Sequence, residues 1–129
     1  PRGVELKEQV MYETLLAKFT QNPALLKALL ETGDAQIIEN TSLASYNDDF
    51  WGNGKSGNGK NALGIALMRV REDLGRELRA NGSISIRTGF SNALANQLGI
   101  SPSAPIPKKI LHNKIWLQCK QQLLLPHFT

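Results

Sequence analysis

The chain has 129 residues, 41% apolar and 20% charged, one domain's worth of polypeptide with enough apolar side chains for a real core. Its formal charge of +4 conceals an asymmetry: residues 1–80 hold ten Lys/Arg against eleven Asp/Glu, a net −1, whereas residues 81–129 hold Arg87, Lys108, Lys109, Lys114 and Lys120 and no acid. A lone Cys119 excludes an internal disulfide, His112 and His127 give no zinc-site spacing, and no apolar run reaches membrane-span length, so a soluble, cytoplasmic protein with neither metal nor cofactor is the expectation.

Residues 4–19 (VELKEQVMYETLLAKF) place Val4, Met11, Leu15 and Phe19, with Leu6, Val10 and Leu16, on a wide apolar face, which predicts a largely buried helix. Asn22 as cap and Pro23 at the first helical position open a second helix that ends near Gly33, and the short connection makes the two neighbours. AQIIE (35–39) is too brief to decide between strand and link, and a polar run follows from Asn40 to Asn61. Asn61 then caps the clearest helix, whose stripe is Leu63, Leu67, Val70, Leu74 and Leu78 and whose outer side carries Arg69 with Asp73 and Glu72 with Arg76. Asn81-Gly82 ends it. SISIRT reads as a short strand, FSNALANQL as a short helix stopped by Gly99, SPSAPIP (101–107) as a Pro-rich linker, and KKILHNKIWLQCKQQLLL as a terminal amphipathic helix. The periodicities together predict an all-α or mostly α fold with at most short strands.

The stretch GNGKSGNGKN (52–61) fits two nucleotide fingerprints. Gly54, Gly59 and Lys60 give G-x-x-x-x-G-K, with Asn61 where Ser or Thr should hold magnesium, and Gly52, Gly54 and Gly57 give G-x-G-x-x-G. Both patterns require a buried apolar strand immediately upstream, and SLASYNDDFW (42–51) is polar and acidic, so neither is accepted. Glycines feeding a helix start still suit an anion, because backbone can approach closely and free N–H groups point outward, with Lys60 adding charge. Trp51 offers a flat face for a base or sugar, Asp48 and Asp49 are candidate acids or bases, and Asn53 can bond hydroxyls. The competing reading is a surface loop anchored by Trp51.

LKEQVM, LLAKFTQNPALLKALLETGDAQIIE, NDDFWGNG and GKNALGIALMRVRE together resemble the NADAR family, also called YbiA-like, over about residues 4–79. The resemblance implies a helical fold with a long glycine-rich loop, and a ligand of the NAD- or ADP-ribose type; some members are N-glycosidases that cleave phosphoribosylamino-pyrimidine intermediates of riboflavin synthesis. It makes Trp51 the active-site aromatic, puts Asn53 where the glycosidase members have aspartate, and makes Gly59, Lys60 and Asn61 the turn and cap over a ribose phosphate. Gly3 stands where the family often has a second tryptophan. The family's first half, with a glutamate beside histidine, has no counterpart here, which makes a fragment of a longer protein the expectation, and a truncated member that binds without cutting the alternative.

These readings divide the chain into residues 1–80, the C-terminal half of a family domain, and 81–129, a basic helical extension packed on it or on a partner. The expected function is an N-glycosidase or ADP-ribosyl hydrolase, with Trp51, Asn53, Asp48 and Asp49 at the chemistry and Gly52, Gly54, Gly57, Gly59, Lys60 and Asn61 around the ligand. The alternatives are a non-catalytic ADP-ribose or nucleotide-binding module, and a degenerate helical domain that meets a protein partner through 101–129. Nucleic acid as partner is the weaker reading, because the five tail charges are sparse and lack interleaved aromatics.

Overall fold

The computed structural model describes residues 2–111. Five helices form its regular structure: α1 (Arg2–Thr20), α2 (Pro23–Glu31), α3 (Ala62–Asn81), α4 (Asn92–Leu98) and α5 (Lys108–Leu111). Among the described residues the only β pairing is one antiparallel bridge between Gly89 and Pro105, so the chain is mostly α, and SISIRT is extended backbone without a strand. The bulk of the terminal helix, with His112, Lys114, Cys119, Lys120 and His127, lies outside the described residues.

Helix α1 is central. Every residue from Met11 to Thr20 is buried, not only those of one face. Leu15, Phe19, Leu29, Ile37, Leu63, Leu67, Val70 and Leu74 form one core in which α1 lies against α2 and α3. Ala17, on another side, joins Ile106, Leu111 and Phe90. Burial of a helix all round forces its polar side chains to find partners, since an unpaired polar group away from water costs about 1–3 kcal/mol. Thr14 and Thr20 return their hydroxyls to the carbonyls of Val10 and Leu16, both at 2.7 Å. Lys18 Nζ donates to Leu111 O at 2.8 Å, Thr20 Oγ1 accepts from Arg87 N at 2.9 Å, and Glu13 accepts from Ser91 N at 2.6 Å and Ser91 Oγ at 2.8 Å. Ser91 is also the N-cap of α4, accepting from Leu94 N, so one hydroxyl links α1 to the start of α4.

These bonds explain why SPSAPIP is no free linker. Ile106 is buried and its N–H donates to Thr88 O at 2.8 Å, which lays residues 104–106 against 88–90 on the side of α1 that α2 and α3 leave open. Arg87 grips Glu77 of α3 (2.7 Å) and, with the N–H of Ser85, holds that carboxyl below its usual range. The stripe on α3 is buried at Leu63, Leu67, Val70 and Leu74, but Leu78 is 40% exposed and lines an apolar groove of about 450 Å³ with Pro23, Leu26, Leu30 and Ile84. Asn22 stands before α2 as expected, yet its side chain does not cap: Nδ2 reaches back to Lys18 O at 2.6 Å, fastening the α1–α2 turn. No described helix is long and apolar enough to cross a membrane.

Across the α1–α3 contact, the Tyr12 hydroxyl donates a hydrogen bond to Asp73, and Arg69 lies 3.7 Å from the centre of the Tyr12 ring. Burial, and then the Asp73 carboxylate, push the phenol up from 10.0 to about 12. A folded-state value above the unfolded one favours the fold fully below the unfolded value and loses that contribution as pH rises through the folded value. Stability is therefore expected to decline between pH 10 and about 12. Alkaline titration of the phenolate absorbance should show a component near the upper value that is absent from Tyr12→Phe, whose stability should depend less on pH in that window. A second expectation concerns Glu13→Ala, which strands the Ser91 bonds and should cost about 1–3 kcal/mol. Hydrogen exchange should show the loss of protection concentrated in α4 rather than in α3.

Candidate functional site

The segment between α2 and α3 contains no regular structure, yet side chain to backbone bonds fix it. Its anchor is Asn61. This residue has positive φ (57°) and makes no side-chain cap on α3, contrary to the sequence expectation; instead its buried amide clasps the link upstream, Oδ1 accepting from Glu39 N at 2.8 Å and Nδ2 donating to Ile37 O at 2.9 Å. Asparagine tolerates the left-handed region better than most residues, which suits it to this place. Gly64, one turn into α3, lies directly against Ile37 O and the Asn61 amide, where a Cβ would collide with both.

A second clasp is built on Thr41, a residue that no sequence motif marks. Its hydroxyl donates to Asp48 O at 2.6 Å and accepts from Gly54 N at 2.8 Å, while its N–H donates to Asn53 Oδ1 at 3.0 Å. Gly52 packs so closely on the Thr41 side chain that no Cβ would fit, and a Cβ at Gly59 would stand 2.8 Å from backbone atoms of Asp49, Gly52 and Asn53. Glycine is needed at these two places for close backbone approach.

The structure corrects the expectation of an amide-lined anion site. The amides expected to be free are engaged within the protein: Asn53 N with Glu39 O, Lys55 N with Asn47 Oδ1, Gly57 N with Gly54 O, Asn58 N with Ser56 Oγ, Gly59 N with Asn53 O, Lys60 N with Asp49 O, and Asn61 N with Gly52 O. The first two N–H groups of α3 are likewise taken, Ala62 by Phe50 O (2.8 Å) and Leu63 by Trp51 O (3.0 Å). A helix start attracts anions through unpaired N–H groups. Here the preceding loop folds over that end and uses them.

The predicted residues therefore separate by exposure and engagement. Gly52, Gly54 and Asn61 are buried scaffold, Gly57 is at the exposed tip with φ 82°, and Gly59 is half-buried at the crossing. Asp48 uses Oδ1 to hold Phe50 N (3.3 Å) and Trp51 N (3.0 Å), which fixes the aromatic pair. Asp49 next to it is exposed, and its carboxylate has no hydrogen bond among the described residues. Asn53 is half-buried, oriented by its bond from Thr41, with its NH2 group unengaged among the described residues. Trp51 is half-buried, packs on the main core, and meets Phe50 edge to face with centroids 4.7 Å apart. Lys60 is exposed and pairs with Glu8 at 3.1 Å, and both Lys60 and Lys7 bring their ammoniums to the Phe50 ring. Phe50, Lys7, Glu8, Thr41 and Glu39 were not singled out by sequence. Glu39, 3% exposed, is a buried carboxyl residue whose backbone N–H and C=O are both gripped by the loop; the signal was an acid closing an apolar Ile-Ile pair. No group of three His, Cys, Asp or Glu able to hold a metal occurs among the described residues.

The NADAR domain model matches residues 4–75, a span that runs from α1 through the loop into α3 and so contains both clasps. The chain belongs to the NADAR domain family. It is 47% identical over 72 residues to the N-glycosidase YbiA of Escherichia coli, covering 56% of this chain and 42% of that protein. It is 40% identical over 77 residues to an N-glycosidase of Nostoc punctiforme (60% and 47%), and 43% identical over 70 residues to a riboflavin biosynthesis protein of Vibrio vulnificus (54% and 18%). The chain thus spans less than half the length of these NADAR relatives. No solved structure matches it.

The Asn61 clasp yields a stability test. Asn61→Ala leaves two buried backbone groups without partners and puts a Cβ-bearing residue without local hydrogen bonding at positive φ, and should destabilise by about 2–4 kcal/mol. Urea denaturation should show a lowered midpoint at unchanged slope. Asn61→Asp keeps the acceptor for Glu39 N but sets a carboxylate oxygen against Ile37 O, and should destabilise as well.

Proposed function

We propose that this chain supplies one wall of an N-glycosidase site acting on the bond between C1 of a ribose phosphate, or of an ADP-ribose-type ligand, and a base nitrogen. The support is the family membership and the curated N-glycosidases that share this segment. The observation that carries it at residue level is the placement of Asp49, Asn53, Trp51 and Lys60 on one loop whose backbone is fixed by bonds to Thr41, Asp48 and Asn61, so that the backbone positions of these residues are set before a ligand arrives. Preorganisation of that kind is what an oxocarbenium-like transition state rewards, because positioned charge costs no reorganisation during the reaction.

In this reading the exposed part of Trp51 packs against the sugar or base, the Asn53 NH2 group donates to a ribose hydroxyl, and Lys60 meets the phosphate. Asp48 is occupied with the Phe50 and Trp51 amides, so the basic role falls to Asp49. A water oxygen bonds to C1 as the C1–N bond breaks; the proton it loses passes through the Asp49 carboxylate to the departing nitrogen. A second reading, binding without cleavage, is favoured by Asn53, which cannot ionise where the glycosidase pattern has an acid.

The test is an assay of base release from phosphoribosylamino-pyrimidine and from ADP-ribosylated guanosine by the polypeptide that carries this chain. Asp49→Asn should lower kcat by about 100-fold or more, the range of a positioned general base. Trp51→Ala should act mainly on KM. Binding of ADP-ribose with no release from either compound would support the second reading, and an Asp49→Asn protein as active as its parent would remove Asp49 from the chemistry.

A further inference from the structure

With the amides of Gly57 to Leu63 engaged, recognition of a phosphate here falls to side-chain cations. Arg71 is spent at the start of the loop on Thr32 Oγ1 and Ala35 O, and Lys55, Lys7 and Lys60 lie on or beside its glycine-rich part. Lys55 donates to Ala44 O at 2.8 Å and belongs to the loop's own structure. Lys7 and Lys60, from α1 and from the last loop turn, both come to the Phe50 ring, at 3.8 Å and 5.2 Å from its centroid, and Lys7 is 5.9 Å from that of Trp51. Two ammoniums at one ring repel each other, and at an exposed position the ring quadrupole offsets only part of that repulsion. Glu8 relieves it by bonding Lys60, through a pair that is 43% and 32% exposed. Exposed pairs of this type are weak, so the carboxylate is readily displaced. Lys7 has no carboxylate partner among the described residues.

We propose that Lys7 and Lys60 form one anchor for the phosphate or diphosphate of the ligand, over Phe50 and next to Trp51, and that the Glu8 carboxylate occupies Lys60 as an internal stand-in until that ligand displaces it. The proposal extends the reading of the site given above, adding Lys7 as a binding residue and Glu8 as a competitor. Both phosphate and carboxylate oxygens accept from an ammonium, but the phosphate carries more charge and can engage two cations at once. Loss of either lysine should then be felt only by phosphorylated ligands, and loss of the Glu8 charge should act in the opposite direction.

Calorimetry on the intact chain with inorganic phosphate, pyrophosphate, ADP-ribose and unphosphorylated adenosine separates these effects and tells mono- from diphosphate recognition. Lys7→Gln and Lys60→Gln should each weaken binding of the preferred phosphate-bearing probe by about tenfold, leave adenosine unchanged, and reduce the dependence on salt. Lys7→Arg should retain binding, and Glu8→Gln should tighten it severalfold. Glu8→Gln with weaker binding, Lys7→Gln with an unchanged preference for phosphate-bearing probes, or no binding of any phosphate probe overturns the proposal. If the probes respond as expected while no base is released in the assay, the glycosidase reading fails and the anchor stands. Base release combined with a Lys7→Gln protein that binds phosphate probes like its parent keeps the glycosidase reading and removes the anchor.

Discussion

Ten consecutive residues of α1, Met11 to Thr20, are removed from solvent, and this requirement organises the rest of the molecule. A helix with one apolar stripe can rest on a two-helix partner and leave its other side in water. Here the opposite side carries Glu13, Lys18 and Thr20, and each is covered as well as bonded. The chain beyond α3 therefore returns across α1, and Arg87, Ser91, Ile106 and Leu111 are fixed by that return. Apolar burial drives the α1–α3 contact, whereas polar pairing selects where the returning segment sits.

The loop is held by other means. It has no strand or helix to satisfy its backbone, so it uses Asn61, Thr41, Asp48 and Asn53 as substitutes, and turns the N–H groups of Asn53, Gly57, Gly59, Lys60 and Asn61 on its own carbonyls. The outcome is a segment tied down by hydrogen bonds yet free to present side chains at irregular angles. That is apt for a site. Its surface chemistry rests on ammoniums, a carboxylate and aromatic rings, with little left for main-chain recognition.

What could be read from sequence follows from which forces have a local signature. The 3.6-residue spacing in α1 and α3, and Pro23 after Asn22, mark helices directly, and the family resemblance located the loop. The role of Asn61 was not legible, because an asparagine before a helix looks the same whether its amide bonds forward to the helix or back to a segment over twenty residues upstream. The glycine-rich run suggested free amides for the same reason: composition reveals that a backbone can bend, but not where its N–H groups end. SPSAPIP resembled a linker since prolines leave no period to read, and only the burial of Ile106 against Phe90 and Ala17 discloses its packing. Lys7 and Glu8 sit at one end of an apolar helix, where charge ordinarily marks nothing more than a solvated turn.

The glycine at position 64 also has a mechanical meaning. Its missing side chain lets the Ile37 carbonyl rest on α3 with no compliant group between them, and Gly59 does the same where segments of the loop cross. Contacts between bare backbones transmit displacement without absorbing it. The base of the loop is thus seated directly on the long helix at Gly64. Any accommodation of a ligand is left to the parts outside that seat, the exposed 55–58 tip and the long cationic side chains, which makes this face of the molecule an anvil rather than a jaw.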